Sequence, residues 1–170
     1  MSAPRNNFKV ALKNHQLQIG FWQSLSSVTT AEISAQVGFD WLLIDGEHAP
    51  NSVENIANLL RVIDPSDSNA VVRVAAGITH DIKQILDVGA QTILVPMVET
   101  AHQAQEMVRA VHYPPSGVRG AASITRAAKY GNISNYAASA NEEICLLVQA
   151  ESQTALDNLE TICAVEGVDG

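Results

Sequence analysis

Short apolar runs alternate along this chain with longer amphipathic stretches, and this alternation limits the fold more than any other feature. Short runs that are almost wholly apolar suit buried strands, and apolar residues at helical spacing suit helices between them. The predicted strands are 18–22, 41–45, 70–75, 91–96 and 144–152. The predicted helices are 29–39, 51–63, 79–89, 100–113 and 154–165, with a further helical segment within 123–141. Such alternation predicts parallel strands joined by right-handed crossovers.

Two α/β architectures fit this pattern, an open doubly wound sheet and a (β/α)8 TIM barrel. The stretch QIGFWQSLSS at the first strand lacks a glycine-rich phosphate-binding fingerprint, which disfavours a dinucleotide-binding sheet. A complete barrel needs about 250 residues, and five or six strand-helix units are visible here. We therefore predict that residues 1–170 form a single domain, the N-terminal two-thirds of a barrel. The closing sequence VEGVDG reads as the approach to another strand, and we expect the remainder of the barrel beyond it.

Charge and composition exclude several classes of partner. The net charge of −8 disfavours nucleic acid, which needs a basic surface. No apolar stretch approaches the roughly 20 residues that span a bilayer, so no membrane partner is expected. The N-terminal sequence lacks the apolar core of a signal peptide, which predicts a cytoplasmic protein. Cys145 and Cys163 lie in apolar surroundings, and we predict two buried thiols rather than a disulfide.

Polar residues gather where predicted strands end, at the edge where barrel enzymes carry their catalytic groups. These residues are Asp45, Glu47 and His48 after the second strand, Arg73 inside the third, and Gln149 and Glu151 in the last predicted strand.

Each of these side chains has a structural and a chemical interpretation. Arg73 needs an anion if it is buried, and that anion is either Asp45 in a salt bridge or a bound substrate. Glu151 with Asp45 offers oxygen ligands for Mg²⁺ or Mn²⁺, although Glu151 alone also suits a helix cap. His48 is either a general base or a solvated loop residue. Together, a base, an arginine and a metal carboxylate describe enolate chemistry on a 2-keto acid.

Several motifs taken together resemble one family. DWLLIDGEHAPN, VVRV, IKQILDVGAQTILVPMVE, YPPSGVRG and VQAE followed by VEGVDG are similar to the HpcH/HpaI class II pyruvate aldolases. The resemblance is strongest to members that cleave 4-hydroxy-2-oxoheptane-1,7-dioate. It implies a (β/α)8 barrel, a homo-hexamer that exchanges a helix between subunits, and a divalent metal (Mg²⁺, Mn²⁺ or Co²⁺). The implied reaction is reversible cleavage of a 4-hydroxy-2-keto acid into pyruvate and an aldehyde, here succinate semialdehyde.

The resemblance also implies roles for individual residues. His48 matches the catalytic histidine, Arg73 the arginine that holds pyruvate and stabilises its enolate, and Asp87 an aspartate that pairs with the histidine of an adjacent subunit. The remaining matches are binding residues: Gln149 and Trp22 at the substrate, Glu151 as metal ligand, and Asp45 near the metal-bound water. The second metal ligand of the family, an aspartate, falls beyond residue 170. The resemblance assigns no role to Glu47, and a structural role is expected for it.

Three alternatives remain open at this stage. The segment AAGITHD differs from the Asn-Asp-containing version common in the family. An aldolase for sugar acids such as 2-keto-3-deoxy-glucarate is one alternative, because side chains near the acceptor aldehyde decide the substrate and several of them are expected beyond residue 170. A non-catalytic fragment is disfavoured by the intact set of site residues. An acyl-CoA lyase of the citrate lyase β-subunit type is disfavoured because DGEHAP, and no basic loop, follows the second strand.

Overall fold

The computed structural model describes residues 1–170, and its centre is one sheet of five parallel strands in chain order. The strands are β1 (Gly20–Gln23), β2 (Trp41–Asp45), β3 (Asn69–Arg73), β4 (Thr92–Val95) and β5 (Cys145–Val148). The helices are α1 (Asn7–Lys13), α2 (Val28–Ala35), α3 (Val53–Ile63), α4 (Thr79–Asp87), α5 (Ala101–Val111), α6 (Tyr136–Glu143), α7 (Gln153–Asp157) and α8 (Leu159–Cys163). A 3-10 turn occupies Lys129–Gly131. None of these helices is long and apolar enough to cross a lipid bilayer.

The order of the strands decides between the two predicted architectures. A doubly wound sheet reverses its strand order and carries helices on both faces. Here every strand pairs with its neighbour in the chain, and α2 to α5, α7 and α8 bury their apolar side chains against one face. The sheet also continues past β5, because the Asp169 N–H donates to the Leu146 carbonyl over 2.8 Å. The predicted (β/α)8 barrel is confirmed, and residues 1–170 contain five of its strands.

A second, smaller core lies on the inner face of the sheet. Phe8 of α1 packs there on Leu43, Val71 and Cys145, so α1 closes the end of the sheet at which the strands begin. The Asn6 side chain accepts from the Lys9 N–H and so caps α1. Sequence reasoning missed this helix, because it has seven residues and buries only two of them.

Other sequence predictions need correction at their boundaries. The last predicted strand, 144–152, runs only from Cys145 to Val148 and is the fifth strand of the sheet. The predicted helix 154–165 is two short helices that meet at Asn158. Helix α4 begins at Thr79, the first residue of its predicted range 79–89, and its N-cap residue Ile78 makes no side-chain hydrogen bond. Cys145 is buried as predicted, whereas Cys163 is exposed.

Candidate active site

The side chains at the ends of β2 and β3 face the interior because side chains alternate along a strand. Leu43 and Val71 belong to the inner core, so Asp45 and Arg73, two residues further along, point the same way. The strand register sets Asp45 directly beside Arg73. Two opposite charges therefore meet on the inner face, at the carboxyl edge of the sheet.

Asp45 and Arg73 form a buried, bidentate ion pair. Arg73 donates from Nε to Asp45 Oδ1 over 3.0 Å and from Nη2 to Oδ2 over 2.8 Å. Burial opposes ionisation of Asp45, but hydrogen bonds from Arg73 and from two backbone N–H groups outweigh it and lower the pKa of the carboxyl below 3.8. The bond to Asp45 also raises the pKa of Arg73, despite its burial. The structural salt bridge that the sequence allowed is therefore present.

The Asp-Gly-Glu-His turn after β2 is built around Asp45. Its Oδ1 accepts from the backbone N–H groups of Glu47 and His48 over 3.0 and 3.2 Å. Gly46 donates its N–H to the Arg73 carbonyl oxygen, and a Cβ at Gly46 would lie 2.6 Å from that oxygen. Glycine is required here because the two backbones approach so closely. One carboxylate thus fixes both the turn and the arginine.

Glu47 and His48 lie on the rim of the same site. Arg73 Nη1 lies 3.0 Å from Glu47 Oε2, so a second carboxylate contacts the guanidinium. That oxygen is buried and accepts no well-directed hydrogen bond. His48 Nε2 is 3.7 Å from Glu47 Oε2, while its own side chain is 74% exposed. Glu47 therefore connects the buried arginine to an accessible histidine, a contact for which the sequence offered no signal.

Two further predicted residues contact Arg73. The guanidinium carbon lies 4.6 Å from the centre of the Trp22 ring, within the range of a cation–π contact. Gln149 Oε1 accepts from Nη1 at 3.5 Å, a long bond. Side chains from β1, β2 and the segment after β5 thus converge on one guanidinium. The structure brings Trp22, Asp45, Arg73 and Gln149 together.

Glu151 lies beyond the end of β5 and is joined to the loop after β4. Its Oε1 accepts from the Met97 N–H over 2.9 Å, and its other oxygen accepts no hydrogen bond. Met97 has a φ of 55°, a left-handed conformation that is uncommon for residues other than glycine. Such conformations occur often at functional sites. The contact between Met97 and Glu151 could not be predicted from the sequence, because a methionine gives no sign that its backbone is left-handed.

Carboxylate oxygens at this edge fit a hard divalent cation. Glu151 keeps one oxygen free of hydrogen bonds, whereas Glu47 Oε2 is already paired with Arg73. Mg²⁺ and Mn²⁺ prefer such oxygen ligands. Residues 1–170 bring no group of three acidic, histidine or cysteine side chains close enough to hold a metal. Glu151 would thus supply one ligand and need others.

Asp87 lies apart from all the other predicted site residues. It is the last residue of α4, and α4 runs from the carboxyl edge of the sheet back to the opposite edge. Its Oδ1 accepts from Arg119 Nη2 over 3.0 Å. Arg119 is completely buried, and sequence reasoning gave it no role because a lone arginine in a loop is usually solvated. Within one chain, Asp87 and His48 stand at opposite ends of the sheet.

Comparison with known proteins shows similarity to one described family. The profile of the family described as HpcH/HpaI aldolase/citrate lyase matches residues 18–170. The hydroxypyruvate/pyruvate aldolase of Roseobacter denitrificans is 53% identical over 100% of this chain and 67% of its own length. The 2-keto-3-deoxy-L-rhamnonate aldolase of Escherichia coli K12 is 52% identical over 97% of this chain, which spans 62% of that protein.

A solved structure shows the same fold. A HpcH/HpaI aldolase/citrate lyase family protein from Burkholderia cenocepacia superposes with a TM-score of 0.94 at 39% identity. The match covers 96% of this chain and 66% of that protein.

Proposed function

The chain belongs to the HpcH/HpaI aldolase/citrate lyase family, and on this premise we propose that it acts as a class II aldolase. The proposed reaction is reversible cleavage of a 2-keto acid that carries a hydroxyl at C4, giving pyruvate and an aldehyde. One observation carries the proposal: Arg73 is an ionised, nearly buried guanidinium at the carboxyl edge of a barrel. A positive charge that its neighbours hold in a fixed position is what a developing enolate needs.

Arg73 is held rigidly but keeps donors for a ligand. Nε and Nη2 each donate one N–H to Asp45, while Nη1 lies between Glu47 and Gln149. A guanidinium has five N–H donors, so part of its set remains for the oxygens of a 2-keto acid. Asp45 thus orients Arg73, and Trp22 limits its movement on one side. The structural and the substrate-binding interpretations of Arg73 are compatible.

We assign the proton transfers to His48. In the cleavage direction a base takes the proton from the C4 hydroxyl, the C3–C4 bond breaks, and the electron pair moves to the 2-keto oxygen. Arg73 stabilises the negative charge that forms there, and C3 of the enolate then takes a proton to give pyruvate. Asp87, supplied by a neighbouring subunit, would pair with His48 and keep it correctly oriented. Gln149 and Trp22 would line the substrate.

A divalent metal (Mg²⁺, Mn²⁺ or Co²⁺) would be held by Glu151 and by an aspartate beyond residue 170. When bound, such an ion supplies a Lewis acid that polarises the 2-keto group. Asp45 was predicted to lie near a metal-bound water, and this role stays a prediction. Both of its oxygens already accept bonds from Arg73, so orienting that side chain is the role its contacts support best.

The substrate we favour is a 2-keto-3-deoxy sugar acid. The relatives reported above are named for 2-keto-3-deoxy-L-rhamnonate and for hydroxypyruvate with pyruvate. These names support the sugar-acid alternative and do not support 4-hydroxy-2-oxoheptanedioate, the substrate expected from the sequence. Both substrates would release pyruvate and would differ only in the aldehyde. Motifs around Arg73, which would bind the pyruvate part, therefore do not distinguish the sugar acid from 4-hydroxy-2-oxoheptanedioate.

Assembly and location remain proposals. The position of Asp87 supports an oligomer, because this residue reaches a His48 only if another subunit supplies it. A homo-hexamer with an exchanged helix is the assembly that the family resemblance implies. A cytoplasmic location stays a prediction.

Pyruvate release provides the test of this function. The protein is assayed with 2-keto-3-deoxy-L-rhamnonate and with 4-hydroxy-2-oxoheptanedioate, each with added Mg²⁺, Mn²⁺ or Co²⁺ and with EDTA. We expect faster release from the sugar acid, loss of activity in EDTA, and recovery when metal is restored. Activity that survives complete chelation would contradict the class II assignment. Absence of pyruvate from both substrates, in metal-loaded protein, would favour a non-catalytic role.

A further inference from the structure

A buried arginine at the far end of the sheet has no role in the chemistry described so far. Arg119 is 0% exposed, and its guanidinium stacks 4.3 Å from the centre of the Tyr113 ring. Its one well-directed side-chain hydrogen bond runs from Nη2 to Asp87, and the guanidinium also lies close enough to the hydroxyls of Tyr113 and Tyr136 to oppose the rise in their pKa that burial causes. A guanidinium buried this completely needs partners that compensate for its lost hydration, and Asp87 is its one carboxylate partner.

The YPPSGVRG loop is shaped to deliver this side chain. Val118 and Arg119 donate their N–H groups to the carbonyls of Arg109 and His112 over 2.8 and 2.9 Å. A Cβ at Gly117 would lie 2.3 Å from each of those carbonyl oxygens, so only glycine allows this fold-back. The loop is thus pinned to the end of α5, and its arginine points at α4. This motif was part of the family resemblance but received no function there.

The chain just after this loop clamps the end of α4. Ala127 donates its N–H to the Asp87 carbonyl over 3.1 Å, and Arg126 Nη1 donates to the Val88 carbonyl over 2.9 Å. Backbone and side chain of Asp87 are therefore both fixed. The Asp87 side chain is still 22% exposed, and its Oδ2 accepts no hydrogen bond within the chain. One carboxylate oxygen is thus held in place while the other remains available to a donor from outside.

We propose that Arg119 is a positioning residue that holds the Asp87 carboxylate ready for the histidine of a neighbouring subunit. This rests on the proposed function, in which Asp87 serves a site in another subunit. A stabilising role alone explains the pair poorly, because replacing a buried ion pair by apolar side chains is often neutral. Without Arg119 the Asp87 carboxylate would remain partly solvated. We therefore expect removal of Arg119 to disturb the orientation of Asp87 more than the stability of the fold.

The first test compares Arg119→Met with Arg126→Met in the full protein, with Arg119→Lys as a conservative variant. Arg126 comes from the same segment and contacts the same helix end, but it does not touch the Asp87 side chain. We expect Arg119→Met to lower kcat about 10- to 100-fold at unchanged KM, as lost orienting partners commonly do. Arg126→Met should keep its kcat per folded molecule, and Arg119→Lys should retain more activity than Arg119→Met.

Mixed oligomers distinguish positioning from general damage. His48→Ala and Asp87→Asn subunits, each inactive alone, should recover about one quarter of wild-type activity when assembled together at equal amounts, if sites are shared between subunits. Arg119→Met should recover activity with His48→Ala and should not recover it with Asp87→Asn. Melting temperatures of all variants check that each one folds.

The outcomes distinguish failure of the positioning role of Arg119 from failure of the proposed shared active site. Failure of His48→Ala and Asp87→Asn to restore one another would overturn the shared site. Arg119 is then judged by the double variant Arg119→Met/Asp87→Asn, which should be no less active than Asp87→Asn alone. A further loss in the double variant, or recovery of Arg119→Met with Asp87→Asn, overturns the positioning role. So does an Arg119→Met enzyme as active as Arg126→Met.

Discussion

Arg73 concentrates the charge of the candidate site in one nearly buried group. Three of its nitrogens face carboxylate or amide oxygens, and the Trp22 ring lies against its plane. Such a fork of donors suits a planar 2-keto acid, whereas a lysine ammonium is a point charge on a flexible stem. The identity of this residue, and not its charge alone, should therefore control the proposed reaction.

Replacing Arg73 by lysine should lower kcat/KM about 10²- to 10³-fold, as loss of a fixed donor to a developing oxyanion commonly does. The charge is kept, but the bidentate bonds to Asp45 and the stacking on Trp22 are lost. Steady-state pyruvate release measures the effect, with Arg61→Lys on the exposed face of α3 as the matched control. Near wild-type kcat/KM in Arg73→Lys would show that Arg73 does not stabilise the enolate.

Replacing Asp45 by asparagine should destabilise the protein in a pH-dependent way. Arg73 would stay buried with Glu47 as its one remaining carboxylate contact, and loss of the bidentate partner costs up to about 3 to 5 kcal/mol at neutral pH. The folded pKa of Asp45 lies below its ordinary value of 3.8. The stabilisation by this carboxylate is therefore present above pH 3.8 and is lost as the pH falls through the lower, folded pKa.

Urea unfolding at pH 7 and at several values below pH 4 measures this effect. The gap in free energy of unfolding between wild type and Asp45→Asn should narrow as the pH falls. A gap that stays constant down to the lowest pH at which both proteins fold would show that the pKa of Asp45 is not lowered.

Sequence reasoning reached those site residues whose position follows from strand alternation. Asp45 and Arg73 were predicted at strand ends and meet there, and Gln149 joins them. Contacts that depend on loop geometry were beyond its reach. Glu47 contacts Arg73 only because the turn around Asp45 directs it inward. Arg119 reaches Asp87 only because Gly117 lets a loop fold back, and neither event has a periodic signature.

At the scale of elements, helix α5 links the fold to the site. Thr100 caps it by accepting from the Gln103 N–H, and the Gln103 side chain accepts in return from the Thr100 N–H. Gln103 Oε1 also accepts from the Glu99 N–H over 2.7 Å. This capping box fixes the loop that follows β4, which carries the Met97 N–H bonded to Glu151. A local helix signal therefore positions a candidate metal ligand.

Thr100→Ala should lower the free energy of unfolding by about 1 kcal/mol, because one cap bond and its reciprocal partner are lost. Chemical denaturation measures the change. Thr154→Ala is the matched control, since Thr154 is exposed in the first turn of α7 and does not cap it. Equal stability of the two variants would show that the capping box contributes nothing.

The strands and helices differ in how accurately their sequences predict them. β2 was predicted with its observed bounds, 41–45, because it is almost wholly apolar and ends at an Asp-Gly turn. α7 and α8 were predicted as one helix, since apolar spacing continues through Asn158. α1 was missed because its stability comes from Phe8 and from the Asn6 anchor on distant backbone, which are tertiary contacts. Periodicity reports burial on one face, and it does not report breaks or anchors.

On the scale of the whole molecule, the two ends of the sheet carry different tasks. The carboxyl edge holds the charged residues around Arg73. The opposite end is closed by α1, where the Asn6 amide donates to Thr92 Oγ1 and to the Glu143 carbonyl, each over 3.0 Å. Barrel enzymes commonly separate activity and stability in this way. If that holds here, a substitution at the stability end should leave catalysis unchanged, and a substitution at the carboxyl edge should leave packing at the opposite end unchanged.

Phe8→Ala tests this separation from the stability end. It removes the α1 side chain that packs on Leu43, Val71 and Cys145, and such truncations cost about 3 to 5 kcal/mol. Burial raises the pKa of the Cys145 thiol to about 12, so this thiol should react slowly in the wild type. Loss of the Phe8 side chain should expose Cys145 and speed the labelling of its thiol, while the exposed Cys163 serves as an internal reference.

The KM for the sugar acid should stay unchanged in folded Phe8→Ala protein, because Phe8 lies at the far end of the strands from Arg73. Arg73→Lys should show the reverse pattern, with lost turnover and slow labelling of Cys145. Thiol labelling followed by mass spectrometry, together with pyruvate release, measures both quantities on the same samples. If folded Phe8→Ala protein lost as much kcat/KM as Arg73→Lys, the two ends would be coupled through the shared inner core, and the separation would be wrong.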